Sequence, residues 1–378
     1  MVSTRGKFLF SVLFSLFILA ANLCAQSGVA RPQLTTPTPT PTPPEQTERI
    51  ATEEIKLNIS AFDTNGIFVG DVRPEDLVVS ENGRLHQPTS VRKTPANVLL
   101  LLDVGGEIAY AKRRKTTAAA AQGLVSALHP NDSVAVMQYA DKVEVLSGWT
   151  NDKAKILQAL NDKKLGYGKR SVFNSALDAA VAFFRQTSSE NRHLILITDG
   201  VDSLDNTEAK RAATRNLLSS DINVHVLSYT QLQQRAITIP KTLSGGGTRP
   251  RTELPPGAEP PVRGTTPTFP VATINLDREM IRKREAQLEE LKNSERFLTT
   301  IAQDTNGEIF LPETDEEMIA KTTQLAKNID SQYVVTYIPK NPLDEARDGE
   351  VRLIEVTSKR ANLDVQGRRK LVVVNDRD

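Results

Sequence analysis

The sequence has few of the residues that cross-link chains or bind metal clusters. It contains one cysteine and four histidines among 378 residues. A single cysteine excludes a disulfide scaffold, a cysteine-based zinc site and an iron–sulfur cluster. No two histidines lie within five residues of each other, so a His-x-x-x-His metal motif on a helix is absent as well. Stability must come from a hydrophobic core, for which a hydrophobic content of 39% is sufficient.

An excess of charge is also lacking. Lys and Arg total 47 and Asp and Glu total 46, which gives a net charge of +1. This balance argues against a nucleic-acid-binding protein, which carries a basic excess or a basic stripe. The sequence has no G-x-S-x-G elbow, no P-loop and no G-x-G-x-x-G motif, so it gives no signal for the common hydrolase and nucleotide-binding sites. His193 and His225 fall in apolar runs, where we expect structural roles.

The first 49 residues are typical of an export signal and a spacer. Residues 1–25 combine a positive start, Arg5 and Lys7, with an apolar run of about 14 residues, shorter than the roughly 20 that span a bilayer. We expect cleavage and export to the periplasm or the exterior; an uncleaved anchor is the alternative and would be the only membrane contact. Residues 26–49 hold a Thr-Pro repeat that favours an extended spacer, with a proline-rich docking ligand or a glycosylated stalk as the alternatives.

The remaining chain alternates between two patterns. Residues 50–95 and 332–376 show short β-type runs separated by turn residues. Residues 96–330 alternate apolar strands with helical segments, which predicts a doubly wound, mostly parallel α/β sheet. A segment at 231–293, containing a proline-rich stretch and a charged helix near 276–291, interrupts this alternation as an insertion. We expect the two β-rich pieces to pair into one split β-sandwich; two separate β appendages are the alternative.

Acidic residues follow two of the apolar strands. Asp103 follows Val98–Leu102 and Asp199 follows His193–Thr198, while Ser171 precedes a predicted helix. Ligands of open α/β sheets bind beyond the carboxyl ends of the strands, so these three loops can converge. Two carboxylates and a hydroxyl there would suit a hard divalent cation. The alternative is that both aspartates only cap the segments that follow them.

These motifs resemble the von Willebrand factor type A domain. The resemblance rests on the apolar strand into Asp103, on Ser171-x-x-x-x-Ala176-Leu177, and on Leu196-Ile197-Thr198-Asp199-Gly200. The flanks, with Phe62-Asp63-Thr64-Asn65-Gly66 and Ser331-Gln332-Tyr333, are similar to the exported acidobacterial-type subgroup of related proteins. The resemblance implies a Rossmann-like domain that binds proteins and is not an enzyme.

The resemblance also implies a metal-ion-dependent adhesion site, in a degenerate form. The family's site uses Asp-x-Ser-x-Ser, a threonine and a second aspartate. The matching positions here are Asp103, Gly105, Glu107, Ser171 and Asp199, so both serines of the first motif are replaced. No cofactor is certain. Either Glu107 joins Asp103, Ser171 and Asp199 around Mg²⁺, Mn²⁺ or Ca²⁺, or the ion is lost and Lys169 and Arg170 pair with the carboxylates. Expected partner-binding residues are Gly105, Gly106, Lys169, Arg170 and Asp202.

Three functions are therefore open. The favoured one is an exported, non-catalytic protein–protein interaction or adhesion module that uses the carboxyl ends of the strands. The second is a structural subunit of an envelope assembly that makes its contacts through residues 238–291. The third is a metal-assisted hydrolase built on Asp103, Glu107 and Asp199. The sequence predicts an unidentified protein partner in the envelope or outside the cell, and no nucleic acid.

Overall fold

The computed structural model describes residues 54–106, 110–161, 165–166, 168–204, 206–238 and 270–374, with the side chains of residues 110–113 and 270–277 left out. The predicted signal, the predicted spacer, Glu107 and residues 239–269 of the predicted insertion lie outside this part of the chain.

The strands are β1 Ile55–Asp63, β2 Leu77–Glu81, β3 Arg84–His86, β4 Ser90–Arg92, β5 Asn97–Asp103, β6 Ser133–Tyr139, β7 Val143–Thr150, β8 Arg192–Thr198, β9 Ile222–Ser228, β10 Ile309–Phe310, β11 Gln332–Tyr337, β12 Val351–Ser358, β13 Leu363–Gly367 and β14 Lys370–Val372. The helices are α1 Tyr110–Ala127, α2 Lys153–Ala159, α3 Phe173–Phe184, α4 Thr207–Leu218, α5 Thr230–Thr238, α6 Pro270–Asp304 and α7 Asp315–Asp330.

A six-stranded sheet forms the centre of the α/β part, in the order β10-β9-β8-β5-β6-β7. All neighbouring strands in it are parallel except β6 and β7, which are antiparallel. Strand β5 is apolar on both faces because it is covered on both: Leu100 and Leu102 pack with α1 and α7, while Leu99 and Leu101 pack with α3, α4 and α6. The predicted α/β class with a β-rich flanking part is confirmed.

The two β-rich pieces share two four-stranded sheets. One sheet has the order β13-β1-β11-β4 and the other β14-β12-β2-β3. Each sheet therefore combines strands from residues 54–92 with strands from residues 332–372. Leu57 and Val335 from the first sheet and Val79 and Val356 from the second meet in one hydrophobic core. Neither piece could bury these side chains alone, since each supplies only half of both sheets.

The sandwich docks at the amino ends of the central strands. Asn58 of β1 donates to Asn191, which directly precedes β8, over 3.3 Å. Asn223, near the start of β9, donates to Gln332 of β11 over 2.6 Å. Because parallel strands run in one direction, this contact lies at the edge opposite to Asp103 and Asp199. The sandwich therefore leaves the carboxyl edge to the loops and to the insertion.

The insertion begins and ends in helices. Sequence patterns predict separate helices near 276–291 and 294–303, whereas α6 is one helix of 35 residues. Its length has a local cause: Pro270 suits the first turn, and no proline or glycine follows until Gly307. One of the short β-type runs predicted within residues 50–95, Ile67–Val69, does not form a strand, and an isolated bridge joins Phe62 and Phe68 there. Strands β3, β4, β7 and β13 and helix α5 were not predicted.

Within the part of the chain that the structure describes, no helix is both long enough and apolar enough to cross a membrane.

Candidate functional site at the carboxyl edge

Asp103, Ser171 and Asp199 all lie at the carboxyl edge of the central sheet. Asp103 is the last residue of β5, Asp199 follows the last residue of β8, and Ser171 lies two residues before α3. All three are buried. The structure brings Ser171 to Asp103, with 3.5 Å between the hydroxyl and Oδ2. The described donors to the carboxylate of Asp199 are not those that contact Asp103.

The carboxylate of Asp103 is surrounded by hydrogen-bond donors. The backbone N–H of Gly105 donates to Oδ1 over 3.0 Å, and the Thr198 hydroxyl donates to Oδ2 over 3.1 Å. Because the Thr198 proton points at Asp103, the hydroxyl of Tyr139, 2.6 Å away, donates to Thr198. Burial, and next the negative charge of Asp103, raise the pKa of Tyr139 well above its ordinary value, which keeps this donor protonated. Within the described ranges, the donors to this buried carboxylate are neutral.

Asp199 is bonded to the insertion. Its Oδ1 accepts from the N–H of Val201 over 3.0 Å, and its Oδ2 accepts from Gln233 Nε2 over 2.6 Å. Its backbone carbonyl accepts from the hydroxyl of Ser294. Gln233 lies on α5 and Ser294 on α6, so both insertion helices hold the same residue. Sequence reasoning missed Gln233; the available signal was its position shortly after β9, at the same edge as Asp199.

Asp202 and Ser203 connect the loop after β8 to the loop that precedes α3. Asp202 accepts from the N–H of Asn174, at the start of α3, and from the N–H of Leu204, both over 2.8 Å. Ser171 and Ser203 exchange two hydrogen bonds of 2.8 Å, one through the Ser203 hydroxyl and one through the Ser171 carbonyl. Asp202, predicted as a partner-binding residue, therefore also positions the first turn of α3.

Arg170 forms its ion pair with Asp141 rather than with a strand-end carboxylate. The backbone N–H and the Nε of Arg170 both donate to Asp141 Oδ1, over 3.0 and 3.2 Å. The first of these bonds, then the second, lower the pKa of Asp141. The pair is exposed and lies at the rim of the site. The expected replacement of the ion by salt bridges from Arg170 to Asp103 or Asp199 is not the arrangement found.

The described residues do not fit a divalent cation. The donors on Asp103 and Asp199 point at the carboxylate oxygens that a cation would require. At Gly105, where the family has its first serine, an added Cβ would lie 2.2 Å from the carbonyl oxygen of Arg170. In the described ranges, no group of three or more His, Cys, Asp or Glu side chains is placed to hold a metal ion. Glu107 lies outside those ranges, so its proposed ligand role stays a prediction.

A polar groove of about 730 Å³ runs beside this site. One wall is the loop from Gly200 to Thr207 and the other is α6 near Glu289 and Asn293. Gly200 adopts φ +70°, and an added Cβ would meet Ser294 Oγ at 2.7 Å. The loop and α6 therefore touch at the base of the groove, which places the insertion directly on the strand-end surface.

Residues 98–201 match the family model of the von Willebrand factor type A domain. This part of the chain is similar to a von Willebrand factor type A domain. No curated protein sequence gives a significant match. The von Willebrand factor type A match covers β5 to β8 and the loops that hold Asp103, Ser171 and Asp199.

Several solved structures are similar to the chain. One is a von Willebrand factor type A protein from Catenulispora acidiphila, with 11% identity over 87% of this chain and 76% of that one and a TM-score of 0.41. Another is an aerotolerance-related membrane protein from Bacteroides fragilis, with 19% identity over 62% and 98% and a TM-score of 0.36. A third is the TRAP protein of Plasmodium vivax, with 13% identity over 77% and 97% and a TM-score of 0.38. These likenesses concern the fold alone.

Proposed function

We propose that the protein is an exported, non-catalytic module that binds another protein through the carboxyl edge of its von Willebrand factor type A domain. Export rests on the signal-like sequence of residues 1–25. Binding at this edge is supported by the position of the sandwich, which covers the amino edge and leaves the carboxyl edge to loops and insertion helices. The site on this edge is the degenerate one described above, closed by hydrogen bonds.

The insertion and the strand-end loops form one surface. Helix α5 begins two residues after β9 ends, and Glu295 of α6 holds it in place. The Glu295 carboxylate accepts from Thr230 over 2.7 Å, from Gln231 over 3.0 Å and from Gln234 over 3.1 Å. Contacts through the strand ends and contacts through the insertion are therefore two parts of one binding surface.

The observation that carries the proposal is the exposed end of α6. All nine residues from Arg278 to Ala286 are exposed, while Leu291 and Leu298 further along the helix are buried. Met280 and Ile281 are adjacent and each 52% exposed, so they present two neighbouring apolar side chains that a partner can cover. We call residues 278–286 the exposed end of α6.

The charge of this end indicates an acidic partner. Lys283 is paired with Glu279 at 2.8 Å. Three further cations, Arg278, Arg282 and Arg284, form no ion pair within the described ranges. A basic rim around an apolar contact is complementary to a partner whose acidic side chains surround an apolar one. The same charge disfavours pairing between two copies of this helix.

Capture from an envelope extract, with and without chelator, tests the proposal. The double variant Met280→Ser with Ile281→Ser should reduce capture of the partner at least about tenfold, as expected for losing the apolar centre of an interface. The control is Leu85→Ser, since Leu85 is 63% exposed on the sandwich, away from the carboxyl edge. Equal capture by wild type, both variants and a deletion of residues 240–275 would contradict binding at this edge.

The hydrolase hypothesis depends on a tightly held metal ion. The donor arrangement at Asp103 and Asp199 does not support such an ion. Metal analysis of the purified protein tests this directly, together with activity of an Asp103→Ala variant toward esters and peptides. A bound or titratable Mg²⁺, Mn²⁺ or Ca²⁺ whose turnover is lost in that variant would favour the hydrolase over the binding module.

A further inference from the structure

The insertion supplies a side-chain hydrogen-bond donor to Asp199. The side chain of Asp199 is a buried carboxylate, with the residue only 7% exposed. A buried carboxylate needs a cation or several donors to offset its lost hydration. Among the described residues, Gln233 donates to it from its side chain, with 2.6 Å between Nε2 and Oδ2. The remaining oxygen is bonded to the N–H of Val201.

Gln233 is held in this position by the packing of the two insertion helices. Its own N–H donates to the carbonyl of Tyr229 over 2.9 Å, in the first turn of α5. Glu295 binds side chains on both sides of it in sequence, Gln231 and Gln234. Ser294, the neighbour of Glu295, binds the backbone of Asp199. The amide of Gln233 is therefore preorganised toward Asp199 rather than placed there by chance.

The loop after β5, which contains Gly105, likewise leaves no space for an added side chain beside Asp103. The carbonyl of Arg170 stands where the side chain of a serine at position 105 would begin. Gly105 instead turns its N–H toward Asp103. In the described part of the chain, Asp103 and Asp199 both accept hydrogen bonds from neutral donors.

We propose that Gln233 takes the place of the divalent cation at Asp199, so that the insertion is the built-in ligand of this site and the carboxyl edge keeps its form without metal. The inference goes beyond the proposed function, because it concerns how the surface is held and needs no partner for its test. Failure of partner capture and failure of this inference are therefore distinguishable.

Thermal melting of the purified protein gives the first test. A ligand that binds the folded state raises Tm by mass action. The Tm of the wild-type protein should stay within about 1 °C in EDTA and in excess Mg²⁺, Mn²⁺ or Ca²⁺, because Gln233 already holds Asp199. A larger rise with any of these cations that EDTA reverses would overturn the proposal.

A pair of neighbouring variants gives the second test. Gln233→Ala removes the side-chain donor to Asp199 Oδ2, while the control Gln234→Ala removes one of the donors to Glu295 and no described bond to Asp199. Gln233→Ala should lower Tm by about 4 °C or more, clearly beyond the control, and an added divalent cation should restore part of that loss only in this variant. Equal losses in the two variants, or a Gln233→Ala loss that no cation relieves, would overturn the proposal.

A second pair of variants tests the closed first loop. Gly105→Ser restores the family's residue but places its Cβ against the Arg170 carbonyl, so Tm should fall by about 4 °C or more. The control Gly148→Ser introduces the same side chain at a glycine of β7 whose Cβ position is open, and should leave Tm nearly unchanged. A Gly105→Ser protein that melts like wild type, or that gains a cation-dependent rise in Tm, would contradict a closed loop.

Discussion

At the scale of single residues, a buried ion pair in the sandwich stands out. Arg352 of β12 is 1% exposed and is paired with the buried Glu81 of β2, with 2.6 Å between Nη1 and Oε1. Its other guanidinium protons are donated to the carbonyls of Asn341 and Pro342 and to Glu350. The pair joins a strand of the first β-rich piece to a strand of the second, so it fixes which segments pair.

Removing one member of this pair should be strongly destabilising. Arg352→Met leaves the Glu81 carboxylate buried without its cation, and we expect the free energy of unfolding to fall by about 3 kcal/mol or more. Urea denaturation measures this loss. Arg360→Met is the control, because Arg360 pairs with Asp71 and Asp76 at an exposed site, where an ion pair contributes little, so the loss should be far smaller. Similar losses for the two arginines would contradict a structural role for the buried pair.

The residues of the carboxyl edge show what a sequence can indicate. Asp103 and Asp199 were placed correctly at this edge, because apolar strands end immediately before or at them. Gln233, Thr198 and Tyr139 were missed, because neutral donors at strand ends have no charge or spacing that distinguishes them from other polar residues. The ligand role of Glu107 stays a prediction.

At the scale of elements, β8 and β9 share a one-directional chain of hydrogen bonds. The N–H of Glu308 donates to His225 Nδ1 over 3.3 Å, so the proton of the neutral His225 ring lies on Nε2. Nε2 faces His193 Nδ1 at 3.2 Å, and His193 Nε2 then donates to Asn191 over 2.8 Å. Each ring nitrogen of His193 and His225 has a defined role as donor or acceptor only while both rings are neutral.

Acid should therefore destabilise this part of the sheet. Burial lowers the pKa of His225 from 6.5 to about 4 and lowers that of His193 well below 6.5. A depressed histidine pKa means that the unfolded chain binds the proton first, so stability is lost as pH falls from about 6.5 toward 4. His225 alone should contribute a loss of about 2 kcal/mol between about pH 7.5 and 5.

Two carboxyl groups act in the opposite direction. Burial raises the pKa of Glu308 and of Asp132, so their protonation favours the folded state as pH falls. The histidine effect is isolated by urea denaturation of His225→Gln at both pH values, in which the acid-induced loss should shrink by about 2 kcal/mol. An unchanged pH dependence in His225→Gln would exclude His225 as a source of acid sensitivity.

Strands and helices were predicted well where the hydrophobic pattern of the sequence is strong and poorly where this pattern changes. Strands β5, β8 and β9 are continuous apolar runs and were recognised. Helix α6 was predicted as two helices because residues 276–291 are highly charged and residues 294–303 are not, although the absence of proline and glycine after Pro270 already permits one helix. Strand β7 was missed because it is a half-exposed edge strand with register shifts against β6.

At the scale of the whole molecule, the two edges of the central sheet contact different parts of the structure. The amino edge of the central sheet is fixed to the sandwich by buried amides, and the carboxyl edge carries the insertion. The sequence predicted that the β-rich pieces pair with each other, since neither has enough strands alone. It could not predict how the sandwich docks on the sheet, because Asn58, Asn223 and Gln332 are isolated polar residues until the fold brings them together.

Arg368 gives the clearest means of testing this docking. It lies between β13 and β14, is 2% exposed, and donates to the carbonyls of Leu218 and Ser220 at the end of α4 and to that of Lys370. A cation at the carbonyl end of a helix is favourable for the helix dipole as well as for the unpaired carbonyls. Burial lowers the pKa of Arg368 to about 10, so it stays charged at neutral pH.

Replacing Arg368 should weaken both parts of the molecule at once. Arg368→Met removes the three bonds and leaves the last carbonyls of α4 buried, so we expect a loss of about 3 kcal/mol in the free energy of unfolding. Amide hydrogen exchange should become faster in the last turn of α4 as well as in β13 and β14, because the residue belongs to the sandwich and the carbonyls to the α/β part. The control is Arg369→Met, whose exposed side chain lies next in sequence. If faster exchange were confined to β13 and β14 while α4 kept its protection, Arg368 would stabilise only its own turn, and the docking of the two parts would depend on the amide contacts alone.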